Sequence, residues 1–154
     1  MWGDNSVCQL GLGPDAGGRK LEPVVVPKLQ GAVQLACGWG HVICLVQKET
    51  PADPPRTLVY TWGFNLHGQL GVGSTKNEGT PTHVTALDDY VITAVTCAGH
   101  VSGCISENGD VCMWGSGQRG RVGGEKCADS LVPVRCVYLS FNVFTFPLMC
   151  LPFL

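Results

Sequence analysis

A length of 154 residues suits one ordinary domain, and an apolar content of 45% is enough to bury a core. Only 14% of residues are charged, against roughly 25% in an average soluble domain, and the formal net charge is −2. That balance gives no electrostatic reason to expect nucleic acid, whose phosphates are bound through clustered Lys and Arg by counterion release.

The 21 glycines and 10 prolines favour short strands joined by many turns. The chain opens on Trp2-Gly3, followed by Asn5 and Gln9-Leu10-Gly11, then Pro23 and a valine-rich stretch. The segment Val33 to His41 leads into the apolar run Val42–Val46, whose residue types and bounding glycines predict a strand. A link over 47–57 follows, stiffened by prolines that remove backbone donors. Leu58 to Thr61 then runs into Trp62-Gly63, and Asn65 and Gln69-Leu70-Gly71 stand at the offsets seen after Trp2. Pro81 and the segment Ile92 to His100 come next, then the apolar run Val101–Ile105. Asn108-Gly109 predicts a tight hairpin with positive φ, returning through Val111 to Trp114-Gly115. The third copy keeps Gly120, Gly123 and Pro133 but places Arg121 and Val122 where the others have Gln and Leu.

The three Trp-Gly pairs are thus 60 and then 52 residues apart, and each proline follows its Trp-Gly by 19 to 21 residues. The pattern Trp-Gly-x-Asn-x-x-x-Gln-Leu-Gly, then Pro, then Cys-Gly or Ala-Gly with a following His, resembles the regulator of chromosome condensation repeat. The resemblance implies an all-β fold, a partial β-propeller of antiparallel four-stranded blades. It covers residues 1–138, and the uncharged segment 139–154 falls outside the pattern. Propellers close with about four to eight blades, and two repeats with part of a third leave an incomplete ring. The sequence therefore reads as a fragment or shortened isoform of a longer protein.

The tail is long enough for a membrane anchor, but Asn142, Pro147 and Pro152 interrupt it and no basic flank follows. A membrane role is not expected, and sequence foreign to the fold is the preferred reading. Nine cysteines form no Cys-x-x-Cys pair, and the N-terminus lacks the features of a signal peptide. A reducing compartment, cytoplasmic or nuclear, fits this, with most thiols serving as small buried hydrophobes.

No nucleophile, base and oxyanion donor converge, so no catalytic residue, cofactor or metal is expected and the chain reads as a non-enzyme. His41 and His100 are read as repeat-equivalent residues that fix turns. Cys37 with Cys44 and Cys97 with Cys104 lie seven positions apart, which puts each pair on opposite faces of an extended chain and argues against zinc. Trp2, Trp62 and Trp114 are expected in blade cores, each indole N–H meeting a carbonyl. The partner-binding candidates are Trp39, read as an insertion between Gly38 and Gly40, and Arg119 and Arg121 in the divergent third copy. A protein-interaction scaffold is the first functional reading. Guanine-nucleotide exchange on a small GTPase, which the resemblance also implies, is the second, with the 47–57 link as its candidate wedge.

Overall fold

The computed structural model describes residues 1–27, 29–48, 56–123 and 127–136; the apolar tail and the middle of the 47–57 link lie outside them. The described chain is all-β. Strands β1 (Ala32–Cys37), β2 (His41–Lys48), β3 (Arg56–Gly63) and β4 (Glu78–His83) form one antiparallel sheet in sequential order. Strands β5 (Ile92–Ala98), β6 (Val101–Ser106), β7 (Val111–Gly115) and β8 (Ser130–Arg135) form a second sheet of the same design. Each is a propeller blade, and together they make a partial propeller.

Strand order follows from residue chemistry. The apolar run of β2 is buried on both faces: Val42, Cys44 and Val46 pack with Trp62, while Ile43 and Leu45 turn toward the second blade. Burying each such side chain contributes about 1.5–3 kcal/mol. Pro81 and Pro133 sit on β4 and β8, each at the margin of its sheet, where a missing N–H is tolerated. A core of Ile43, Leu45, Val59, Val84 and Leu87 meets Ile92, Val95, Cys104, Cys112 and Trp114 across the junction between the blades.

Polar point contacts also bind the blades together. The indole of Trp114 donates to the Gln69 carbonyl at 2.9 Å, and that of Trp62 donates to the Gln9 carbonyl at 3.0 Å. Asn65 shapes the acceptor loop: its side-chain oxygen accepts from Leu70 N–H at 2.9 Å and its amide donates to the carbonyls of Ser74 and Lys76. Gly71 then lies against the indole, where a Cβ would stand 2.6 Å from Trp114 Nε1, and its φ of +72° is itself costly for any other residue. The Gln34 side chain both donates to the Val95 carbonyl and accepts from Val95 N–H, at 3.1 and 3.0 Å.

His41 belongs to the same joint. It is buried, with Nε2 2.9 Å from Ser102 Oγ, while that hydroxyl donates to the Gln69 carbonyl at 2.7 Å. The hydroxyl proton is therefore used, and His41 must donate from Nε2 as the neutral tautomer. Its Nδ1 has no hydrogen-bond partner among the described residues. Burial, reinforced by nearby His100, pushes its pKa down to about 4.

Strand register corrects several sequence expectations. His41 lies opposite Gly63, whereas Val101 lies opposite Gly115, the residue equivalent to Gly63. His41 therefore corresponds to Val101, and His100 takes the place of Gly40. Trp39 is no insertion either: it occupies the position of Gly99, because Cys37 to Cys44 and Cys97 to Cys104 span equal lengths. Trp62 and Trp114 are fully buried, but Trp2 is 65% exposed, since none of the described residues packs over it as the blades do over the other two. Gly3 still bridges Lys20 much as Gly63 pairs with Glu78 and Gly115 with Ser130.

Of the described cysteines, Cys44, Cys104 and Cys112 are buried and Cys97 packs against the core, while Cys37 and Cys127 are exposed, so the thiols are core residues only in part. The 47–57 link shortens from both ends, because Gln47 pairs with Thr57 and Lys48 with Arg56 in the β2–β3 ladder. The Asn108-Gly109 hairpin forms with only Gly109 at positive φ, which makes a three-residue loop with a glycine bulge rather than a primed two-residue turn.

Two measurements check this joint. Gly71→Ala combines a left-handed alanine with a clash against the Trp114 indole and lowers stability by about 2–4 kcal/mol. Gly99→Ala, at φ +57° with open space around it, costs only about 1 kcal/mol, and urea unfolding separates the two. Because folding depresses the His41 pKa, its contribution is fully present above the unfolded value of 6.5 and is lost as pH falls toward about 4. The loss is on the order of 3 kcal/mol, and His41→Gln flattens that part of the stability-against-pH curve.

Candidate functional site

The rim of the blade junction carries a cluster of aromatic and basic side chains. Trp39, between β1 and β2, is 81% exposed. Its backbone N–H donates to the Gly99 carbonyl at 3.1 Å, and its ring meets the His100 imidazole edge-on, centroids 5.0 Å apart at 78°. The tryptophan is therefore both held across the junction and open to solvent. An exposed indole fixed by a neighbour presents a large contact area with little conformational entropy left to lose.

His100 is the hub. The ring centroids of Phe64 and His67 lie 5.5 and 5.0 Å from that of His100. The Gln69 amide reaches His100 Nδ1 at 3.3 Å. Burial, His67 and the Arg121 guanidinium together hold the His100 imidazole below the usual histidine range. His67 in turn pairs through Nδ1 with Asp129 at 2.8 Å, linking the loop after β3 to the loop before β8. Burial alone would raise the Asp129 carboxyl, but hydrogen bonds from His67 and from Gly117 N–H outweigh it and leave its pKa lowered.

Of the three residues singled out in the sequence, Trp39 lies against His100, whereas Arg121 is exposed and bears on His100 through its charge, with no hydrogen bond or ion pair to the cluster among the described residues. Arg119 is exposed with φ 61° and ψ 26°, and among the described residues no hydrogen bond or ion pair links it to the cluster. Phe64 and His67 are not singled out by the sequence pattern, and His100 is read there only as a residue that fixes a turn. Phe64 and His67 occupy variable positions inside the Trp-Gly-x-Asn-x-x-x-Gln motif, where attention to the constant residues passes over them. His100 is hidden by its likeness to His41, an equivalence that the register dissolves.

No group of three or more His, Cys, Asp or Glu side chains is placed to hold a metal among the described residues. No helix among them is long and apolar enough to cross a membrane. The arrangement offers an aromatic platform, hydrogen-bond donors and positive charge, which suit recognition of another protein's surface.

Comparison with known proteins bears on this reading. The chain is 36% identical over 124 residues to RCC1 domain-containing protein RUG3, mitochondrial, of Arabidopsis thaliana, covering 79% of this chain and 26% of that protein. It is 38% identical over 103 residues to Ras guanine nucleotide exchange factor C of Dictyostelium discoideum, covering 66% of this chain and 7% of that one. Two human ligases also match, with the chain spanning 12% of each. The chain thus spans about a quarter or less of these relatives. Yeast RCC1 (Prp20), solved bound to Kap60, superposes with a TM-score of 0.71 at 22% identity over 88% of this chain and 32% of that one. The family model for the regulator of chromosome condensation (RCC1) repeat matches residues 1–45 and 58–105, and the chain belongs to that family.

Proposed function

We propose that this chain is part of a protein-binding propeller and that the rim over the blade junction is its contact surface. The observation that carries the reading is Trp39, exposed yet held edge-on against His100 of the next blade. Residues of this kind dominate binding energy when a partner desolvates them. The strands beneath supply a rigid mount, and the loops supply the contacts. Partner recognition without bond-making fits the cluster, because among the described residues no nucleophile stands beside a base there. Cytoplasm or nucleus is the compartment this reading assumes.

Guanine-nucleotide exchange on a small GTPase is the second reading. The match to a Ras guanine nucleotide exchange factor favours it, although only 7% of that protein is covered and its exchange activity belongs to the whole of it. The 49–55 segment, the core of the proposed wedge, lies outside the described residues.

Trp39→Ala in the full-length protein weakens binding to a purified partner by about 2 kcal/mol or more, roughly 30-fold, while the melting temperature stays unchanged. Loss of stability in that variant, or retained affinity, removes the rim from the contact. Labelled guanine nucleotide released faster from a small GTPase establishes exchange, and no acceleration across a broad panel eliminates it.

A further inference from the structure

The joint that binds Trp114 to the neighbouring blade is built twice in this chain, and its two halves recur singly elsewhere. Each complete joint has a donor and a seat: the Trp62 indole on the Gln9 carbonyl beside Gly11, and the Trp114 indole on the Gln69 carbonyl beside Gly71. The two seats share a backbone shape. Cys8 and Gly68 hold φ of 63° and 74°, Gly11 and Gly71 hold 69° and 72°, and the N–H of each of the latter donates to the carbonyl of its partner three residues back. The loop after Trp114 keeps all three features: Gly120 at 71°, Gly123 at 69°, and Gly123 N–H donating to the Gly120 carbonyl at 3.0 Å. Arg119 also takes positive φ there, a difference that leaves the Gly120–Gly123 turn unaltered. Val122 is buried in this loop as Leu10 and Leu70 are in the others. A third seat is therefore formed, with the Arg121 carbonyl at the acceptor position, and none of the described indoles occupies it.

The matching donor is Trp2. Gly3 after it has φ 107°, against 100° for Gly63 and 102° for Gly115, so its backbone is already set as it is at the two docked tryptophans. Its ring is exposed, and its Nε1 has no acceptor among the described residues. The wall beside the third seat is open as well. In the internal joint Trp114 shares its core with Leu45 and Val59, which pair across β2 and β3 and are buried. Ile105 and Val111 pair in the same way across β6 and β7, yet they are 45% and 38% exposed.

We propose that a second copy of this chain docks head to tail, its Trp2 indole donating to the Arg121 carbonyl and its ring lying on Ile105 and Val111. A second copy fits because it carries, in Trp2-Gly3, the same donor in the same backbone setting that the two filled seats hold. The contact continues the interface by which one blade already packs on the next. Donor and seat lie on different surfaces of the chain, so the interface is heterologous and each copy keeps one half free for a further copy.

Sedimentation velocity of the intact chain tests this at loadings from about 1 to about 100 μM, a range that spans the micromolar affinity of a small interface. The sedimenting mass of the unmodified chain rises with concentration. Trp2→Ala removes the donor, and Ile105→Glu places a charge in the wall. Each variant is monomeric alone, and an equimolar mixture regains a dimer, because one intact donor then meets one intact seat. Trp2→Phe keeps a ring but not the N–H and weakens association about fivefold. Both positions are exposed, and thermal melting checks that the variants are folded; where Ile105→Glu is not, Val111→Lys takes its place. An unmodified chain that stays monomeric throughout overturns the proposal and gives the two halves to other segments of the same polypeptide. Association that survives Trp2→Ala overturns it too, and so does a mixture of folded variants that stays monomeric, the mark of a two-fold interface.

Discussion

One carbonyl oxygen holds much of this structure in place. The Gln69 carbonyl accepts from the Trp114 indole at 2.9 Å and from the Ser102 hydroxyl at 2.7 Å, and Ser102 Oγ in turn accepts from His41 Nε2–H. A buried indole N–H without an acceptor would carry a desolvation cost of about 1–3 kcal/mol, so the blade core and the loop of its neighbour must come together or neither is satisfied. Asn65 keeps the acceptor loop in shape, and the absence of a side chain on Gly71 lets it close on the ring. The hydrophobic core between the blades gives the larger share of the free energy, while this small polar network fixes how the sheets sit against each other.

The same joint explains why a rim site forms where it does. Closing the loops around Gln69 brings the turn between β1 and β2 against the turn before β6, which sets Trp39 on His100. His67 and Phe64 arrive from the loop that carries Gln69 itself. Residues of the joint and of the proposed contact surface thus alternate along one short segment: Asn65 and Gln69 point inward and are buried, and His67 between them remains partly exposed.

The fold is legible in the sequence because its determinants are repeated and local. Trp62, Trp114, Asn65 and Gln69 announce the blades through identity at fixed offsets, and the valine runs announce the central strands. The candidate site is legible only in part. Trp39 stands out by size and Arg121 by departure from the pattern. His100 does not, because two histidines one step apart in register look alike in a string of letters, and a one-residue slip moves a side chain to the other face of a strand or out of it. Pairing partners decide equivalence, and a single sequence does not display them. The exposure of Trp2 is hidden for a related reason, since burial of a blade residue depends on its neighbours more than on its own motif.

The Gln34 side chain, doubly bonded to the backbone of Val95, carries a wider implication. The hydrogen-bond ladders run within each sheet, and adjoining blades meet through apolar packing, a few side-chain contacts and the backbone bond from Trp39 N–H to the Gly99 carbonyl. Such a boundary asks little of the chain beyond a few matched residues on either side. A gene encoding units joined in this way can duplicate or lose one without rewriting the pairing inside the others, so ring size and rim chemistry are free to diverge independently over evolutionary time.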